Sequence, residues 1–151
     1  MAKQLDFTRD SFIKFVKNLD EKTVDIQPVG FNNTIQWHVG HVLVVAEKFL
    51  FGYPEQSTKI PANYHGLFQP GTKPADWKAK GPELSEITHY LEDQINRINA
   101  LTEDDYATQL PFTLPFGNFE TYGDLYGLSI HHEAEHLGQI KAMKRIIEAS
   151  K

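Results

Sequence analysis

The stretch "GPELSEITHYLEDQINRINAL", Gly81–Leu101, sets Leu84, Ile87, Leu91, Ile95, Ile98 and Leu101 at steps of three and four residues. At ~100° per residue those steps gather the apolar side chains into one stripe, the mark of a helix, whereas a strand would alternate at every second position. Gly81-Pro82 opens it, because proline's fixed φ and missing N–H suit a first helical turn. Working outward, Thr8–Leu19 carries Phe12, Phe15, Val16 and Leu19 on one face and predicts a first helix. After the break at Pro28 and Gly30, Asn33 or Thr34 is placed to cap a second helix, whose apolar positions run from Ile35 to Phe51 and stop at Gly52-Tyr53-Pro54. Thr121-Tyr122-Gly123-Asp124 has the form of a capping box and predicts a last helix reaching nearly to Lys151.

Residues 52–82 hold Pro54, Pro61, Pro70, Pro74 and Pro82 among Gly66, Gly71 and Gly81, too interrupted for a long element. Connections of that length in compact domains often serve as walls or lids. "LPFTLPFGNF", residues 110–119, predicts an extended link with a turn at Gly117-Asn118. With no convincing strand and no internal repeat, the expectation is one all-α domain over residues 1–151. It is a four-helix bundle with a long connection between helices two and three.

Several classes drop out on composition. The absence of cysteine removes thiolate ligands, disulfides and a cysteine nucleophile, so any metal must be held by nitrogen and oxygen. A net charge of −5, with no basic cluster before the last ten residues, offers no footprint for a phosphate backbone, and no nucleic-acid partner is expected. No apolar run approaches the ~20 residues that span a bilayer, and "MAKQLDFTRD" lacks the apolar run of a secretory signal. The expected setting is the cytoplasm, without a membrane partner.

The chemistry gathers in "IHHEAEHLGQIKAM", Ile130–Met143, where His132 to His136 reads as H-E-x-x-H in one direction and H-x-x-E-H in the other. On a helix, Leu125, Leu128, Ser129, His132, His136, Gln139, Met143 and Ile146 fall within ~60° of one line, with Glu133 and Glu135 ~80° to either side. His132 and His136 are thus expected in the core stripe, one turn apart, where both imidazoles can bind one ion. The two glutamates are expected to flank the site, either steadying an imidazole or carrying solvated charge. A zinc protease of the H-E-x-x-H type draws a third ligand from downstream, yet none of the 15 residues after His136 is histidine. The third ligand must come from another helix, and "WHVGH" supplies two candidates, His38 and His41. Periodicity centres the apolar arc of helix two nearer His38, with His41 at its edge beside Trp37, Val44 and Lys48. His65 in the long connection and His89 on the polar side of helix three read as surface residues.

The pairing of W-x-x-G-H at residues 37–41 with H-x-x-x-H-x-G-Q at residues 132–139 resembles the DinB-like superfamily, which includes thiol-dependent S-transferases and isomerases. The resemblance extends over essentially the whole chain and departs at Leu137, where many relatives carry arginine. It implies a four-helix bundle, commonly dimeric, with a divalent metal ion, nickel or zinc, held by one histidine of helix two and two of the last helix. Carried onto this sequence, the ligands are His41, His132 and His136. It also implies transfer or hydrolysis of a small-molecule substrate, with a low-molecular-weight thiol as a cosubstrate. Two functional classes stay open. In one, the chain is a metal-dependent enzyme whose 52–82 connection closes Tyr64, Phe68 and Trp77 over the metal as a pocket. In the other, it binds a metal or small ligand without turnover and those rings cover the bundle. Val44, Leu50 and Phe51 carry apolar character beyond one stripe of helix two, which adds to the expectation of a homodimer through helix faces.

Overall fold

The computed structural model describes residues 2–150; Met1 and Lys151, the ends of the expected domain, lie outside the described residues. The described chain is all-helical. Its long helices are α1 (Ala2–Lys17), α2 (Ile35–Phe51), α4 (Leu84–Asn99) and α6 (Tyr122–Ala149), and two short ones, α3 (Asn63–Phe68) and α5 (Glu103–Ala107), lie in the connections. α2 packs on α3, α4 and α6, while α1 packs on α4 and α6.

The starts follow the chemistry of their caps. Thr34 is extended and its side chain accepts from Trp37 N–H, which opens α2 at the expected residue. Thr121 and Asp124 exchange both bonds of a capping box at the head of α6. The same device, Thr102 with Asp105, starts α5, a turn of helix the apolar periodicity does not reveal. Gly81-Pro82 precedes α4 rather than forming its first turn, since Glu83 is the extended cap residue. The 52–82 connection carries α3 and a single 3₁₀ turn at Pro74–Asp76. Between α5 and α6 the chain makes one isolated bridge, Gln109 to Thr121, and turns at Gly117 and Asn118, both at positive φ.

α1 begins about two turns before the predicted Thr8, for a reason that matters to the site. Its buried stripe is Leu5, Arg9, Phe12 and Val16, so a cation interrupts the apolar pattern. The side chains of Arg9 and Glu133 are 1% and 2% exposed. Arg9 Nη2 and Nε donate to the Glu133 carboxylate at 2.8 and 3.0 Å, Nη1 to Leu91 O at 2.8 Å, and Nη2 also to Gln94 Oε1 at 3.0 Å. Gln94 in turn donates to Leu43 O and to Glu47, and Glu47 accepts both outer nitrogens of Arg97. Burial by itself would raise the Glu47 carboxyl pKa, but hydrogen bonds from Arg97, Ser57 and Gln94 outweigh it and lower the pKa. This network joins α1, α2, α4 and α6. It lies along each of those helices between the residues of two apolar clusters, one containing Phe12, Val39, Ile87 and Ile140, the other Leu5, Leu50, Ile98 and Leu125.

Two expectations change with the core. Val44 and Leu50 are buried by the chain's own helices and Phe51 is half-buried, so the apolar breadth of α2 calls for no partner. On α6 the buried residues are Leu125, Tyr126, Ser129, Glu133, Leu137, Ile140, Met143 and Ile147. Their centre lies about 50° round the helix from the His132/His136 line, while Ile146 of the predicted stripe is exposed. The rotation follows from Glu133. Read as solvated charge it pushes the stripe toward the histidines, but paired with Arg9 it belongs to the core.

Candidate metal centre

That offset of about 50° places His132 and His136 at the border of the core, half-buried, facing α2. There they meet His41. His132 Nε2 lies 3.1 Å from His41 Nε2 and 3.1 Å from His136 Nε2. Ligand atoms of the three residues all fall within 4.8 Å of one another, and together they can hold a metal ion.

The letters of W-x-x-G-H now have physical reasons. Trp37, one turn before His41, stacks on its ring with centroids 4.5 Å apart and planes 14° from parallel. The indole N–H of Trp37 donates to Thr72 Oγ1 at 3.0 Å, fixing the stacking surface itself. Gly40 faces α3, where any Cβ would lie only 2.4 Å from atoms of the Phe68 ring. That close approach brings Phe68 O to 2.7 Å from His41 Nδ1. A carbonyl only accepts, so Nδ1 carries the proton and Nε2 presents its lone pair to the other two histidines.

Burial, followed by the neighbouring imidazoles, lowers the pKa values of His132 and His136 to about 3. His41 is also lowered, by burial that outweighs its bond to the Phe68 carbonyl. The three rings are therefore neutral at ordinary pH, the state in which imidazole is a ligand. Two imidazole nitrogens sharing an ion at ~2.0–2.1 Å stand roughly 3.0–3.4 Å apart for bond angles near a right angle or tetrahedral. The observed separations on either side of His132 match that requirement, and the donor set of three neutral nitrogens suits zinc, nickel or a related divalent ion.

The remaining predicted residues separate. His38, the candidate favoured by periodicity, is buried next to the cluster, with Nδ1 2.8 Å from His136 Nδ1. His131 is exposed and reaches Glu135 at 3.6 Å. His89 is exposed as expected, whereas His65 is half-buried, with its Nε2 sequestered and unpartnered. Glu133 is neither solvated nor bonded to an imidazole, since Arg9 takes both of its oxygens. Of the rings expected to close over the metal, Tyr64 and Phe68 are core residues and Trp77 packs against the same cluster, its indole N–H on Leu67 O at 3.2 Å. The 52–82 connection serves the centre through a backbone oxygen, which no side-chain pattern announces. Arg9 was equally hidden, although a cation on the core face of α1 and an anion between two core positions of α6 form a complementary pair of interruptions.

The sequence pattern of the DinB superfamily matches residues 4–140, and the chain belongs to that superfamily. No curated protein matches it.

Proposed function

We propose that the chain is a four-helix-bundle protein that binds one divalent metal ion through Nε2 of His41, His132 and His136, and that it works as a metal-dependent enzyme on a small molecule. The observation that carries this is the convergence of three imidazoles on one point, with His41 Nε2 left bare by the Phe68 carbonyl. When bound, such an ion supplies a Lewis acid that activates a water or thiol or polarises a carbonyl. The protein's part is to set the ligands. Trp37 and Phe68 hold His41, and the half-buried edges of His132 and His136 leave the centre bordering solvent, where a substrate can enter. With three nitrogen ligands, coordination positions remain for that substrate. Group transfer with a low-molecular-weight thiol, or hydrolysis, is the reaction class we assign from the superfamily resemblance.

A second reading, metal binding without turnover, has its own observation: Tyr64 and Phe68 are spent on the core rather than on a pocket wall. Elemental analysis of untagged protein, followed by a thiol-transfer screen with the identified metal, separates the two. Stoichiometric zinc or nickel with turnover supports the enzyme, stoichiometric metal without turnover supports the binder, and a chain that takes up neither ion overturns both.

The proposal includes a homodimer in the cytoplasm. Besides the resemblance, its support is the exposed apolar group Ile26, Val29 and Ile146 around a shallow cavity of about 300 Å³. A monomer mass at every concentration in sedimentation removes the dimer. No helix is long and apolar enough to cross a membrane among the described residues.

A further inference from the structure

We propose that His38 is a positioning residue for the metal centre: it accepts the Nδ1 proton of His136 and thereby steadies the His136 tautomer whose Nε2 is free to bind. The role assigned to His38 rests on the metal reading above. Its geometry is specific. His38 Nδ1 and His136 Nδ1 face each other at 2.8 Å, so one must donate and the other accept. Without an ion either direction satisfies the pair. Once His136 Nε2 is a ligand it carries no proton, the proton of that ring must sit on Nδ1, and only one direction survives: His136 donates, His38 accepts. His38 then holds its own proton on Nε2, the atom that is buried and without a hydrogen-bond partner.

His41 and His136 are thus fixed by different devices, the first by a carbonyl of α3 and the second by an imidazole of α2 one turn from His41 itself. Steric reasons keep His38 in this place. Its ring lies edge-on to Trp37 at 5.3 Å between centroids and tilted to His136 at 5.0 Å, so the residue that steadies one ligand by stacking also confines the residue that orients another. Partners that hold the far nitrogen of a ligating histidine typically change metal affinity 10–100-fold when removed.

Zinc alone, added to the metal-free full-length chain, is the probe, with imidazole nitrogen NMR as the first readout. In zinc-loaded wild type the ring protons should sit on His136 Nδ1 and His38 Nε2. A proton on His38 Nδ1, or a zinc-shifted His38 resonance marking it as a ligand, overturns the assignment. Zinc affinity is the second readout. His38→Leu should bind about 10–100-fold more weakly. His38→Asn, whose Oδ1 can stand in for the accepting Nδ1, should recover most of the loss. Wild-type affinity in His38→Leu, or equal weakness in both variants, overturns it. Should either variant fail to fold by circular dichroism, the wild-type spectra decide. Zinc uptake with the wrong His38 tautomer defeats this role alone, whereas uptake of neither zinc nor nickel by wild type defeats the metal reading beneath it.

Discussion

Replacing Glu133 by glutamine tests whether this residue is part of the scaffold or part of the chemistry. In a metalloprotease helix of H-E-x-x-H form the glutamate reaches the reacting water, and its glutamine variant keeps the metal, keeps its stability and loses activity. Here the carboxylate is buried and takes two Nε contacts and one Nη2 contact from Arg9, at 3.1, 3.0 and 2.8 Å. Glutamine preserves the shape and one accepting oxygen but leaves the guanidinium buried without its counter-charge. Removing one partner of a buried ion pair costs about 3–5 kcal/mol. Because glutamine retains a hydrogen bond and Arg9 keeps Leu91 O and Gln94, the low end applies, about 3 kcal/mol. In a domain of this size each kcal/mol moves the melting midpoint by about 2–4 °C, so the midpoint should fall by roughly 6–12 °C. Urea unfolding of the metal-free protein, followed by circular dichroism, measures the free energy, and zinc titration below the new midpoint should give full stoichiometry. A loss under about 1 kcal/mol would place the pair among exposed ion pairs and refute the burial argument. Unchanged stability with lost activity toward a peptide bond would restore the protease reading. The double variant Arg9→Met/Glu133→Leu should recover much of the loss, since apolar groups of similar volume often replace buried ion pairs at little cost.

Alanine at His41, His132 or His136 should each abolish stoichiometric zinc or nickel retention, while His65→Ala and His89→Ala should leave it intact; wild-type metal content in His132→Ala would sink the ligand assignment. Gly40→Ala should push Phe68 off α2 and draw its carbonyl away from His41, weakening metal affinity on the order of 10–100-fold, as measured by competition with a chromophoric chelator. Gly138→Ala, where a Cβ meets nothing, is the control and should stabilise α6 by roughly 0.5–1 kcal/mol. Metal-free protein should lose stability as pH falls from 7 toward 5. Burial holds His132 and His136 near pKa 3 and His38 near 4 in the folded chain, against ~6.5 when unfolded, so below ~6.5 the unfolded chain binds more protons and is favoured. Urea midpoints at the two pH values should differ in that sense, and no change between them would contradict the burial of the cluster.

The helices were legible wherever the buried face is apolar. α2 and α4 announce themselves because Ile35, Val39, Val42 and Leu43, or Leu84, Ile87, Leu91 and Ile98, keep enough apolar residues in step to show the stripe, and the Thr34 and Thr121 caps mark the starts of α2 and α6. Legibility fails where the core is polar. Arg9 cut the pattern of α1 in two and hid its first turns, and Glu133 shifted the apparent stripe of α6 by about half a quadrant. Each residue looks like surface when read alone, since a charge is buried only with its partner, and that partner is more than a hundred positions away.

The two buried charges bear on the site itself. Had α6 turned the His132/His136 line squarely into the core, the imidazoles would be sealed beneath α2 and a bound ion would have no open side. The Arg9–Glu133 pair prevents this. By occupying the centre of the stripe it rolls the histidines outward to the core's edge, where they are half-buried and still within 3.1 Å of a neighbouring ring. Periodicity on α2 points to His38, whereas the histidine that joins the cluster with His132 and His136 is His41. Periodicity finds the residue nearest the apolar maximum, but both histidines are buried, and what distinguishes His41 is its Nε2, 3.1 Å from His132 Nε2. His38 meets His136 through the two Nδ1 atoms, on the side of that ring away from His132. On α6 the proposed ligands thus lie about 50° from the centre of the buried face, and Glu133, paired with Arg9, holds the helix in that rotation.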